Sequence, residues 1–137
     1  MNLTALIVAL IVCLGLATLG NAFVGRSLTE WYAHLRQPRW AVPLWAFVLV
    51  ALAVYTVQGV IIYRLVARQP PGWVWALTAL LITMLGNEVW NLVFFGRRST
   101  LAGFVGIVLF CLPLAATLIL LERADGFAAR LLAPYAL

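Results

Sequence analysis

Asn87, Glu88, Trp90, Asn91 and Phe94 bring two amides, a carboxylate and two large aromatic rings together within about two helical turns. The run around them is otherwise apolar. Polar handles beside flat rings are what a greasy pocket uses to hold and orient a ligand. They are also what neighbouring membrane helices use to bind one another, at about 1 kcal/mol or less per hydrogen bond. Thr83 and Ala79 continue the stripe of Asn87 and Asn91, and a second face carries Phe47, Ala51, Tyr55 and Gln58. Glu88 is the costliest of these residues, because a carboxylate at membrane depth must be paired, protonated or wetted. Its candidate partners are Gln58, or Arg97 or Arg98 of a neighbouring chain. Covalent chemistry finds less support. His34 is the single histidine, Cys13 and Cys111 sit in apolar runs as small core residues, and no nucleophile–base pair, metal cluster or phosphate loop is present.

The longest polar connection is WYAHLRQPRWAVP, Trp31 to Pro43. Pro38 and Pro43 each remove a backbone donor, so the stretch cannot be continuous helix. Trp31, Tyr32 and Trp40 are of the types that settle where hydrocarbon meets water. The stretch reads as an ordered cap over the mouth of a bundle, or as an interfacial loop with ordinary anchors.

The elements that must position these groups follow from composition. Of 137 residues, 66% are hydrophobic and 9% charged, against roughly a quarter charged in soluble domains. A chain this short cannot hide so much apolar surface within itself, so lipid is its solvent. The expected fold is an all-α integral membrane bundle, a single domain over residues 1–137. Spans fall at about 3–24, 42–66, 73–95 and 100–121, each near the roughly 20 residues that cross a hydrocarbon core. An ordered loop covers 25–41, and a partial fifth helix covers 127–137. The first run is taken as a spanning helix and not a cleaved signal, since no Lys or Arg precedes it. Its Ala5, Ala9, Cys13, Ala17 and Asn21 form a small-residue stripe for close approach of a neighbouring helix or a second copy. Gly103 and Gly106 offer the same in the fourth run, and Pro113 a kink.

All nine basic residues are arginine and the net charge is +5, as anchoring beside anionic headgroups produces. No basic face suggests nucleic acid. Arg26, Arg36, Arg39, Arg97 and Arg98 fall on one side, with Arg64, Arg68, Arg123 and Arg130 on the other. This sets no orientation.

Three motifs then point the same way. Trp31-Tyr32-x-x-Leu35-x-x-Pro38-x-Trp40-x-x-Pro43 resembles the first-loop signature of the TspO/MBR family, the tryptophan-rich sensory and translocator proteins. Asn87-x-x-Trp90-x-x-x-Phe94-Phe95-Gly96 resembles the end of that family's third helix, and Leu131-Leu132-x-Pro134-Tyr135 its fifth-helix entry. The resemblance implies a five-helix bundle, usually dimeric, in a bacterial cell membrane. Its pocket beneath the first loop takes porphyrin, haem, sterols or aromatic drug-like molecules. Carried over, the pocket residues are Trp40, Pro43, Phe47, Tyr55, Asn87, Trp90 and Phe94, with Ala51 and Thr83 also lining it. His34, Arg36 and Arg39 stand at the mouth, where charge-assisted bonds to propionates form.

The departures are specific. Ala51 replaces a tryptophan that the family associates with light-dependent porphyrin breakdown, which argues against that chemistry here. Val42 replaces the first proline of a Pro-Pro pair, and Thr83 a longer glutamine. Residues 127–137 match only the entry of the family's fifth helix and stop before its sterol-recognition motif, as expected of either a naturally shortened relative or an incomplete sequence. The expectation is a non-enzymatic receptor or transport-type protein for a tetrapyrrole or sterol-like ligand, with no cofactor. A structural interaction protein without ligand, and less plainly a porphyrin-degrading enzyme, are the alternatives.

Overall fold

The computed structural model describes residues 2–35 and 43–136, apart from the side chains of residues 44 and 47. In chain order, the helices are α1 (Leu3–Val24), the single turn α2 (Ser27–Glu30), α3 (Leu44–Arg68), α4 (Trp73–Asn91), α5 (Thr100–Ala124) and α6 (Gly126–Leu132). Among the described residues there is no strand. Local chemistry sets several boundaries. The Asn2 and Ser99 side chains accept from the backbone N–H groups of Ala5 and Ala102, capping α1 and α5. α3 ends where Gln69 turns left-handed at φ 45°, and Gly72 at φ 78° opens α4 after the two prolines. Beyond Asn91 the chain widens into a π-helical turn, Leu92–Gly96.

The helices close a ring. α1 packs on α3 and α4, α4 on α5, α5 on α6, and α6 back on α3. The small stripe of α1 serves the first of these contacts. Ala5 and Ala9 are buried, and the Cys13 sulfur lies 3.3 Å from where a side chain at Gly59 of α3 would begin. The partner of the stripe is thus a helix of the same chain. Asn21, however, is exposed and Gly20 buried. At 100° per residue a four-residue interval drifts, so Asn21 stands about 160° from Ala5 while Gly20 stands about 60° away.

Four helices are long and apolar enough to cross a membrane, and only 17–22% of each one's apolar window is buried inside the protein. Leu14, Trp75, Leu101 and Leu112 are among the large side chains left on the surface. Such a surface is stable only against lipid.

Most of the core lies towards one end. Ile61, Ile62 and Leu65 of α3, Leu80 of α4, Leu121 of α5 and Leu132 of α6 are essentially inaccessible in the half away from the Val24–Leu35 connection, with Met84 of α4 buried near mid-bundle. There α6 fills the gap between α3 and α5. In the other half, Val48, Leu49, Val50 and Leu52 of α3 are exposed.

An ion pair locks the closed half. Arg64 donates from Nε and Nη2 to the two Asp125 carboxylate oxygens, both at 2.9 Å, and its guanidinium lies 4.4 Å from the centroid of the Phe127 ring. Asp125 also caps α6, accepting from the N–H groups of Phe127 and Ala128. Burial alone would raise the Asp125 carboxyl, but the Arg64 fork and the α6 donors outweigh it and hold it below the usual carboxylate range. A carboxyl depressed in the folded state contributes stability above its unfolded pKa, and that contribution is lost as pH falls through the folded value. Asp125→Asn is therefore expected to cost about 2 kcal/mol at neutral pH. The gap from wild type should close as thermal unfolding is followed below pH 4, the ordinary carboxylate range.

Candidate functional site

Glu88 lies at the centre of the site and is 1% exposed. The Tyr55 hydroxyl of α3 donates to its Oε1, as does Asn87 Nδ2 at 3.1 Å, and Asn91 Nδ2 donates to Oε2 at 3.1 Å. Asn87 is itself an acceptor, taking the Tyr135 hydroxyl at 3.2 Å on its Oδ1. One carboxylate thus gathers α3, α4 and the turn that follows α6. From α1 it is met by a surface without a side chain. A Cβ on Gly20 would stand 2.0 Å from Oε2. Among the described residues its donors are a tyrosine and two asparagines. Gln58 is buried one turn along α3, and Arg98 pairs at 3.1 Å with Glu30.

A second polar contact lies deeper. Thr83 of α4 and Thr117 of α5 share a hydrogen bond of 2.8 Å, and Thr117 donates to the Pro113 carbonyl at 2.8 Å. With the Thr117 proton committed, Thr83 is the donor to Thr117. α5 runs on through Pro113 as one helix.

Trp90 of α4 and Phe94 of the π-helical turn face α5. Trp90 donates from Nε1 to the Gly103 carbonyl at 2.8 Å. Its ring occupies the slot above Gly106, and Phe94 the slot above Gly103, where added Cβ atoms would stand 2.8 and 2.3 Å from the rings. The two rings stack at 5.0 Å and 8°. The π-helical turn supports this register, bringing Phe95 inside as well. Trp31 packs edge-on to Phe94 at 5.2 Å, and Tyr32 approaches Phe95 at 5.9 Å. Together with Glu30–Arg98, these contacts pin the start of the first loop to the end of α4.

The other candidates are dispersed. Ala51 is half-buried on α3, Pro43 is exposed before that helix, and His34 is exposed on the loop. Trp40, Arg36, Arg39 and the Phe47 side chain lie outside the described residues. Gly20, Thr117 and Tyr135 were not singled out as site residues from sequence. Gly20 was concealed by the drift of the small stripe, and Tyr135 by its separation of 48 residues from Asn87. No group of three or more His, Cys, Asp or Glu side chains able to hold a metal occurs among the described residues. The cluster offers donors, acceptors and flat faces.

Gly20→Ala should lower stability by about 1–3 kcal/mol, the usual cost of overpacking. On a Glu88→Ala background, where the carboxylate is gone, the same substitution should be nearly neutral. A double-mutant cycle of thermal unfolding in detergent reads this coupling, and additive effects would contradict the contact.

Comparison with known proteins agrees with this architecture. Residues 7–137 match the TspO/MBR family. The tryptophan-rich protein TspO of Archaeoglobus fulgidus is 28% identical over 98% of this chain and 88% of its own length. A protein of the same name from Chlorobaculum tepidum is 29% identical with the same coverage. The human translocator protein is 32% identical over 85% of this chain and 70% of its own. With the family matched over nearly its whole length, and with four membrane-crossing helices, the chain belongs to the TspO/MBR family and is a multi-pass integral membrane protein.

Proposed function

We propose that this protein is a membrane receptor or transport-type protein that binds a flat, largely apolar ligand of the tetrapyrrole class, or a sterol-like molecule, beneath its first loop. The observation that carries the reading is the half-open bundle with a polar floor. In the loop-side half, the first turns of α3 leave Val48, Leu49 and Leu52 exposed, while Tyr55, Asn87 and Glu88 below them form a hydrogen-bonded cluster. An apolar macrocycle would cover the exposed α3 surface, and its polar edge would meet the hydroxyl and amides. Tyr32 and Trp31, held on Phe94 and Phe95, keep the loop start beside that space. Relatives named as sensory and translocator proteins are consistent with a binding role.

The reading assigns binding and not bond breaking. Tyr55, Asn87 and Glu88 are engaged with one another, and none is placed as a nucleophile beside a base. In the proposed homodimer, the second copy uses a lipid-facing surface, because the small stripe of α1 is spent on α3 within the chain.

Titration of the detergent-solubilised protein with protoporphyrin IX, followed by tryptophan quenching, tests the proposal. Saturable quenching is expected in the micromolar range. Asn87→Ala should weaken it about fivefold, as loss of one hydrogen bond of about 1 kcal/mol implies. Tyr55→Phe, which keeps the ring, provides a second variant should Asn87→Ala unfold. Linear, unsaturable quenching by the wild-type protein would overturn the reading.

A further inference from the structure

A groove of about 620 Å³ runs along the outer face of the bundle between α4 and α5. Phe110, 3.5 Å from where a side chain at Gly86 would begin, and Trp90, seated over Gly106, line it, and Ala102 of α5 adds only a methyl group. The walls are apolar. Val89 and Leu109 stand 56% and 60% exposed, and half-buried Trp90 lines the groove with its N–H already spent on the Gly103 carbonyl.

Polarity enters at the loop-side end alone, from Arg97 and Ser99. Arg97 is exposed and makes no ion pair among the described residues, whereas its neighbour Arg98 holds Glu30. The Ser99 oxygen accepts from Ala102 N–H at 3.2 Å, which leaves its proton free to donate. From Ser99 to the groove's inner end at Pro113 the helix rises about 21 Å. Half of a hydrocarbon core is about 15 Å. The groove therefore runs from the headgroup level through the depth of one leaflet.

We infer that this groove is a binding site for one anionic phospholipid, its acyl chain lying between α4 and α5 and its phosphate on Arg97 and Ser99. Charge complementarity selects this occupant over a second copy of the chain. Two copies meeting groove to groove about a two-fold axis along the membrane normal would bring Arg97 towards Arg97 across the seam, a like-charge contact. An anionic headgroup meets the same guanidinium favourably, and an acyl chain fills a narrow apolar channel without a polar partner. The site lies on the lipid-facing side of the bundle and stands apart from the reading of the ligand beneath the loop.

The full chain can be equilibrated in neutral detergent with phosphatidylglycerol or phosphatidylcholine of identical acyl chains, and bound lipid counted by native mass spectrometry. Retention of a single phosphatidylglycerol about fivefold better than phosphatidylcholine is expected, the factor of one arginine near an anionic headgroup. Arg97→Gln, at an exposed position, should abolish the preference while leaving residual binding of both lipids. Ala102→Phe should fill the groove and remove the retained lipid whatever its headgroup, and Leu109→Trp gives a second filling variant should the first misfold. Equal retention of the two lipids by wild type, or a preference unchanged in Arg97→Gln, would overturn the inference. So would displacement of the lipid by glycerol 3-phosphate alone, which would mark a headgroup site without a chain channel. A dimer that dissociates in Ala102→Phe would overturn it too, by showing a second copy in the groove.

Discussion

A carboxylate enclosed among membrane helices has no water to solvate it, and the whole upper bundle is arranged around satisfying Glu88. Among the described residues three donors reach it, from Tyr55, Asn87 and Asn91. Each donor is thereby held in one rotamer. Because Asn87 also accepts from Tyr135, the segment after α6 is tied into the same network. Burial of an ionisable group is costly unless every lone pair is used, so removing one member leaves the others poorly paired. Gly20 completes the arrangement by omission, because any side chain there would occupy the volume of the carboxylate. Four parts of the chain that are distant in sequence are therefore positioned by one side chain.

The bundle has two halves held by different means. The half bearing α6 is closed by aliphatic packing and by the Arg64–Asp125 fork, which also caps α6. Here the protein buries its own apolar surface and has a filled interior. The loop-side half relies on aromatic rings seated over glycines of α5 and on edge contacts to Trp31 and Tyr32. Rings over glycine permit close helix approach with little side-chain entropy to lose. What they leave free is the first half of α3, whose exposed valines and leucines need a covering of lipid, ligand or protein. The closed half thus lies beneath a more sparsely packed one, with the hydrogen-bonded polar cluster at their junction.

Much of this was legible in the residues. Four spans follow from apolar runs alone, because backbone in lipid must bond to itself and a helix of that length is the local solution. Gly103 and Gly106 were recognisable as close-approach positions, as was Glu88 as an interior residue, since a carboxylate facing hydrocarbon is too costly. The direction of the aromatic residues was not legible. Trp90 and Phe94 lie on a stripe near Asn87, yet they pack on α5 because the glycine slots are there and the π-helical turn adjusts their register. The tyrosine and amide partners of Glu88 within the chain were not legible either. Arginines carry the complementary charge, but a tyrosine and two amides can be enclosed beside a carboxylate at lower cost than a second charged group.

By itself the sequence determined that this chain lives in a bilayer, where its helices cross, and which polar side chains had to face inward. Those are consequences of transfer free energy and helical periodicity, which act residue by residue along the chain. Only the tertiary structure decided which inward groups meet. Whether Tyr55 reaches Glu88, whether Gly20 or Asn21 faces α4, and whether Tyr135 returns to Asn87 depend on helix order and rotation. Those are set by the sum of many packing contacts between distant segments, and no local pattern records that sum.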